Sequence, residues 1–189
     1  ANFHQTGTAT GRLSSSEPNL QNIPIRKAWG KKIRECFVAA EGKLLISADY
    51  SQIEMRILAH YCKEGPLVEA FLHGEDIHRR TAIEIAGGEL FYNDGLRSVA
   101  KMINYGLIYG MSAFRLSREL EIPMRDAQRY IDSYFTRYPQ VKKYLEMSVD
   151  EARVSGCSKT LFGRQRPILG INSPDSSRKD AAERMALNA

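Results

Sequence analysis

Leu96-Arg97-Ser98-Val99-Ala100-Lys101-Met102-Ile103-Asn104-Tyr105-Gly106-Leu107-Ile108-Tyr109-Gly110 is the stretch on which the reading of the fold turns. Wound as a helix, it lines up Arg97, Lys101, Tyr105 and Tyr109 on one face, because residues i and i+4 sit one above the other. Val99, Met102, Ile103 and Leu107 form an apolar stripe elsewhere on the helix, which predicts packing against a core. Two fixed cations suit a triphosphate, and a flat ring beside them suits a base. Taken alone, such a stripe is ordinarily a solvated helix face with partly buried tyrosines. The rest of the chain decides between the two.

Around that stretch lie 189 residues, 43% of them hydrophobic, enough to bury a core in one large domain or two small ones and too apolar for a disordered tail. The 27 Lys and Arg against 22 Asp and Glu leave a net charge of +5. That balance permits a polyanionic partner without demanding one. The distribution says more. Arg26, Lys27, Lys31, Lys32 and Arg34 crowd together, and Arg153, Lys159, Arg164 and Arg166 occupy a span that holds no acid. Two separated basic runs fit a groove along a nucleic-acid backbone. Cys36, Cys62 and Cys157 are far apart and show no metal-ligand spacing, so they read as reduced, structural thiols of a cytosolic-type compartment. No apolar run reaches membrane-span length and no signal-peptide pattern opens the chain, so a soluble, cytoplasmic protein without a membrane partner is expected, and one that starts inside a larger protein.

In chain order, residues 10–24 read as short strands and turns. Arg12, Asn19, Gln21 and Asn22 supply donors able to reach the acceptors that every base pair shows in its minor groove. The basic run from Arg26 to Arg34 predicts a short helix. Residues 43–49, an apolar run ending in Asp49, predict a buried strand, after which Ser51 caps a helix with Ile53, Ile57 and Leu58 facing the core. A carboxylate at a strand tip can hold a hard cation such as magnesium, with the Tyr50 carbonyl as a second ligand; alone it is ordinarily a helix cap. Residues 65–87 predict two helices, the second opening at Asp76 and carrying His78, either a packed histidine or a phosphate ligand beside two arginines. Beyond Gly110 the pattern predicts helices over 112–121, 124–138 and 139–155, with Pro123 and Pro139 starting new ones and Tyr130, Tyr134, Phe135 and Tyr138 in the core. Residues 157–171 predict a basic hairpin. Residues 176–189 predict a last helix bearing Arg178, Lys179, Arg184 and Asn188, with no capping signal at its end.

Taken together and in this order, these segments resemble the family A DNA polymerases of the bacterial DNA polymerase I type. The specific part is Asp49-Tyr50-Ser51-Gln52-Ile53-Glu54-Met55-Arg56 followed by Arg97, Lys101, Tyr105-Gly106 and Tyr109-Gly110 at fixed spacing. The resemblance implies an α+β, mainly helical chain with the right-hand polymerase fold: residues 1–64 part of the palm, 65–155 the fingers, and 156–189 a return to the palm. It implies that Arg97, Lys101 and His78 hold the triphosphate of a deoxynucleoside triphosphate, with Lys101 also catalytic. Tyr105 stacks on the incoming base and sugar, and Glu54, with Gln52 and Ser51 in the same nucleotide-binding motif, packs where a ribose 2'-hydroxyl would go. Asp49 and the Tyr50 carbonyl belong to a centre of two magnesium ions. Tyr109, Arg12, Asn19, Gln21, Asn22, Arg184 and Asn188 contact primer-template DNA.

One departure accompanies these matches. Two metals need at least two converging carboxylates, and the family supplies the second from a palm hairpin beyond the segment matching Arg184 to Ala189. The chain is therefore expected to be a fragment or one piece of a split enzyme, inactive without the thumb and the rest of the palm. Two other readings stand beside this: a nucleotide- and nucleic-acid-binding module without chemistry, and a single-subunit RNA polymerase, against which Glu54 argues because a bulky acid there crowds a 2'-hydroxyl.

Overall fold

In the computed structural model, which describes residues 1–25 and 27–188, the chain divides into two units, residues 1–51 and 52–189. Arg26 and Ala189, at the edges of two segments discussed above, lie outside the described residues. Among the described residues the fold is mainly helical with two small two-stranded sheets.

The first unit opens with β1 (Asn2–His4) and β2 (Ser14–Ser16), paired antiparallel with Phe3 opposite Ser15. Ser15 is buried because its hydroxyl serves the backbone, accepting from Leu20 N at 2.9 Å and donating to Pro18 O at 3.3 Å. A 3-10 turn, Leu20–Asn22, follows with Asn19 as its cap. Helix α1 (Ala28–Glu35) carries Lys31, Lys32 and Arg34, the last two in its final turn, where the helix dipole favours cations. Gly30 is buried against the Pro24 carbonyl, which leaves no room for a Cβ.

Residues 43–49 are not a buried strand. They form no ladder, and Leu44 and Ile46 are about nine-tenths exposed. An apolar run becomes a strand only when a neighbour accepts its N–H and C=O groups, and none of the described residues does so here.

The second unit consists of α2 (Ile53–Cys62), α3 (Pro66–Leu72), α4 (Ile77–Ala86), α5 (Asp94–Ile108), α6 (Ala113–Leu120), α7 (Met124–Arg137), α8 (Pro139–Ser155), the hairpin β3 (Cys157–Lys159) and β4 (Gln165–Pro167), and α9 (Ser176–Leu187). Local sequence sets most of these boundaries. Asp76, Asn93, Ser112 and Asp175 cap α4, α5, α6 and α9 with their side chains, each such cap contributing about 1 kcal/mol. Pro123 and Pro139 stand at the starts of α7 and α8, where a missing N–H costs nothing. Its principal core joins Met55 and Leu58 of α2, Ile77 of α4, Ile103 and Leu107 of α5, Leu116 of α6 and Val141 of α8, with Tyr134 and Tyr138 buried and Tyr130 and Phe135 packed against them. Burial pushes the Tyr138 phenol up to about 12. Cys36, Cys62 and Cys157 are free thiols, and burial raises that of Cys62 to about 11.

Three local expectations need correction. The residue before α2 is Gln52, not Ser51, and it makes no side-chain cap; its backbone is left-handed at φ 52° and ψ 37°. Ile53 and Ile57 are exposed, and the buried face of α2 is Met55, Leu58 and Ala59, one step round the helix from the expected one. Helix α9 does have an end signal: Asn188 donates from its side chain to Arg184 O at 2.6 Å, and its backbone N–H closes the last turn.

Candidate functional site

Helix α5 runs where the apolar spacing predicts, and its buried arc is Ala100, Ile103, Asn104, Leu107 and Ile108. Arg97, Lys101 and Tyr105 follow one another up the side of that arc. Tyr109 ends the stripe as the cap of the helix, its N–H still bonded to Tyr105 O at 3.2 Å. Gly110 takes φ +73°, Met111 N bonds to Gly106 O at 2.8 Å and Gly110 N to Leu107 O at 3.0 Å, which is the αL termination that glycine permits. Tyr109 becomes the half-buried C-cap. A side chain at Gly110 would meet Arg184 Cγ at 3.1 Å and Leu187 Cδ1 at 3.3 Å, so the end of α5 and the face of α9 that carries Arg184 are in close contact.

The seam between α4 and α5 is held by a polar chain. Asn104, fully buried, accepts from Thr81 Oγ1 at 3.1 Å and lies 3.0 Å from His78 Nδ1 through its Nδ2. With the amide oxygen accepting from Thr81, the amide nitrogen faces His78, an arrangement that suits donation to an unprotonated Nδ1. The ring proton then sits on Nε2, which is buried and meets no acceptor among the described residues. His78 is 2% exposed, and its ring centroid is 5.4 Å from that of Tyr105. Desolvation, reinforced by Arg97 and Lys101 and opposed by Asp76, lowers its pKa below the ordinary value.

Folded His78 therefore takes up its proton at lower pH than the histidine of the unfolded chain, whose ordinary value is about 6.5. The stability His78 provides is fully present above pH 6.5 and is lost as the pH falls toward its folded pKa, at up to about 1.4 kcal/mol per pH unit. Urea midpoints measured from pH 7.5 to 5.5 should fall more steeply for the wild type than for His78→Gln; parallel slopes would show that His78 is not the titrating group.

Asp76 completes this end of the seam. Its Oδ2 accepts from Arg97 Nε at 2.9 Å and Nη2 at 2.6 Å, while Oδ1 accepts from the backbone N–H of His78 at 2.9 Å and of Arg79 at 3.2 Å and from Gln52 Nε2 at 3.3 Å. Desolvation alone would raise the Asp76 pKa, but the hydrogen bonds and charge of Arg97, with the N-terminal amides of α4, hold the carboxyl below its usual range. The left-handed backbone at Gln52, a conformation that costs a non-glycine residue about 1–2 kcal/mol, accompanies the bond that ties its side chain to Asp76. Lys101 is exposed beside this cluster and Glu54 is half-buried in the first turn of α2.

In the second unit Asp76 thus joins Arg97, Gln52 and the start of α4, and His78 lies between this cluster and the Tyr105 ring, with the charge of Lys101 acting on it. Asp49, Tyr50 and Ser51 belong to the first unit, where Asp49 is exposed and Tyr50 is 79% exposed. Also exposed in that unit are Arg12, Asn19, Gln21 and Asn22. Asn19 Oδ1 accepts from Gln21 N at 3.0 Å, and Gln21 Nε2 donates to Leu13 O at 3.2 Å. No group of three or more His, Cys, Asp or Glu side chains among the described residues is arranged to hold a metal ion. A lone carboxylate on an extended, exposed segment is too small a donor set for two magnesium ions, so these residues do not fit such a centre by themselves. The residues that sequence reasoning missed are Asn104 and Thr81, together with the pairing of Asp76 to Arg97. The one available signal was a polar Asn104 set among Ala100, Ile103 and Leu107 on an otherwise apolar arc.

The chain as a whole is similar to known proteins. The sequence matches the family described as DNA polymerase family A over residues 1–189, and the chain belongs to that family. It is 52% identical over 188 residues to DNA polymerase I of Pseudomonas aeruginosa and 50% identical over 187 residues to the thermostable DNA polymerase I of Thermus aquaticus. The alignments cover 99% and 98% of this chain but only 21% and 22% of those proteins, so the chain spans about a fifth of the relatives' length. Its structure is similar to the POL domain of Pol1 from M. smegmatis, solved in complex with a DNA primer-template and dNTP, with a TM-score of 0.89 and 44% identity over 99% of this chain and 33% of that one. Among the described residues no helix is long and apolar enough to cross a membrane.

Proposed function

We propose that the chain is the nucleotide-holding part of a cytoplasmic, template-directed DNA polymerase. In the longer protein, residues 1–64 supply part of the palm, 65–155 the fingers and 156–189 a return to the palm of a right-hand fold. The observation that carries the reading is the α4–α5 seam, where Arg97 reaches Asp76 at the start of α4 and the buried His78 ring, its Nε2 without a partner among the described residues, lies 5.4 Å from the Tyr105 ring, with Lys101 between Arg97 and Tyr105 along α5. Arg97 and Lys101 bind the oxygens of the triphosphate, each charged hydrogen bond contributing about 1.5–3 kcal/mol. Lys101 further offsets charge that builds on the phosphates in the transition state. A phosphate oxygen reaching His78 would give its orphaned Nε2–H an acceptor. Tyr105 stacks on the incoming base for about 1–3 kcal/mol without preferring one, so base choice falls to pairing with the template.

Glu54, next to Gln52 and Ser51, excludes a ribose 2'-hydroxyl, which favours DNA over RNA synthesis. Tyr109, at the end of α5, meets the templating position. Arg184 and Asn188 on α9 lie along the primer-template duplex, and Arg12, Asn19, Gln21 and Asn22 enter its minor groove with the donors their internal bonds leave available. Asp49 and the Tyr50 carbonyl contribute to a centre of two magnesium ions that also needs a carboxylate from outside these residues. The chain by itself is then inactive.

Primer extension tests this. The longer protein is expected to copy a DNA template from deoxynucleoside triphosphates, and Lys101→Ala to slow single-nucleotide addition by about 10- to 100-fold, the equivalent of one charged hydrogen bond made in the transition state. An unchanged rate would remove Lys101 from the chemistry, and extension by the 189-residue chain alone would overturn its dependence on further segments.

A further inference from the structure

Asp76 stands inside the seam that the nucleotide site uses and has no part in that site as proposed. Its two oxygens do different work. Oδ1 is fixed to the N-terminus of α4 by the N–H groups of His78 and Arg79, with Gln52 Nε2 as a third donor. Oδ2 takes both Nε and Nη2 of Arg97, at 2.9 and 2.6 Å, two charge-assisted bonds on one oxygen that a phosphate oxygen could equally accept. The Arg97 side chain is 40% exposed, so it can leave, whereas the carboxylate is anchored. Helices α4 and α5 are joined through the buried His78–Asn104–Thr81 chain, which keeps Asp76 within reach of Arg97 if the helix pair moves as a body. Once Arg97 departs, Asp76 still has its α4 amides and the favourable end of the helix dipole, so the charge it leaves behind is not stranded.

Resting on the nucleotide reading above, we infer that Asp76 is an internal stand-in for phosphate, holding the Arg97 guanidinium while nucleotide is absent and yielding it to the triphosphate on binding. The exchange is a side-chain event, one ion pair replaced by another. It sets a threshold as well, because an entering ligand must offer Arg97 more than a carboxylate does. The lowered pKa of Asp76 keeps the competitor charged at neutral pH.

Calorimetric titration of deoxyadenosine triphosphate, with magnesium, into the 189-residue chain tests this in four forms: wild type, Asp76→Asn, Arg97→Ala and the double variant. Asn retains the α4 cap and removes the charge. Asp76→Asn is expected to bind about three- to tenfold more tightly, on the scale of a partly exposed ion pair, and to lose that gain in the Arg97→Ala background. Should the Asn variant lose helical signal in circular dichroism, Asp76→Ser supplies a cap without a carboxylate and the same comparison is made with it. If Arg97→Ala weakens binding but the Asp76 variant does not tighten it, the stand-in is refuted and the nucleotide site survives. A gain that persists undiminished without Arg97 refutes it too, since it then reflects only the removal of negative charge. If Arg97→Ala binds as the wild type does, the nucleotide reading itself fails and the stand-in with it.

Discussion

Asn104→Leu is expected to destabilise the chain by about 2–4 kcal/mol, although it exchanges a fully buried side chain for one with the same branching and number of heavy atoms. The cost comes from the partners. Thr81, 5% exposed, loses the acceptor for its hydroxyl, and His78, 2% exposed, loses the donor to its Nδ1. Each buried group left unpaired costs about 1–3 kcal/mol, partly offset by the apolar surface the leucine buries. Ile103→Val, one residue away on the same buried arc, removes a methylene and should cost only about 0.5–1.5 kcal/mol. Urea unfolding of both variants checks the contrast. Because the loss is shared with Thr81, adding Thr81→Val to Asn104→Leu should cost less than Thr81→Val alone. Additive losses would mean that the two side chains act independently.

The same seam shows what the sequence discloses and what it does not. Helix α5, the Asp76 cap of α4 and the proline starts of α7 and α8 were legible because each depends on residues within one or two turns. The four-residue spacing of Arg97, Lys101, Tyr105 and Tyr109 was legible because it depends only on the helix, whereas the αL turn at Gly110 that makes Tyr109 the C-cap was not read from it. Residues 43–49 show the opposite limit. Their composition fits a strand, yet a strand is defined by a partner, and partnership is not written in the run itself. In α2 the buried face is Met55, Leu58 and Ala59 in place of Ile53, Ile57 and Leu58, because the face is chosen by the elements the helix packs on, α3 and α8, and not by its own spacing. The link of Asp76 to Arg97 crosses 21 residues and depends on how α4 packs on α5, which local patterns do not specify.

Replacing both Arg97 and Lys101 by Ala is expected to weaken triphosphate binding by about a hundredfold or more. Two charged hydrogen bonds of about 1.5–3 kcal/mol each would together allow up to about 10⁴-fold. The lower end is expected because Arg97 must first give up Asp76, so its net contribution is a difference between two ion pairs, whereas Lys101 is exposed and makes no such exchange. The stripe face is not part of the buried arc of α5, so the double variant should keep the helical content and urea midpoint of the wild type to within about 1 kcal/mol. A loss of affinity at unchanged stability therefore reports on the nucleotide site alone.

The most direct measurement is the titration of a single deoxynucleoside triphosphate, with magnesium, into the 189-residue chain and its Arg97→Ala/Lys101→Ala variant under identical salt. The account predicts saturable binding by the wild type and at least a hundredfold weaker binding by the variant. Equal affinities, or no binding by the wild type at millimolar nucleotide, would contradict the claim that the α4–α5 seam of this chain holds the triphosphate.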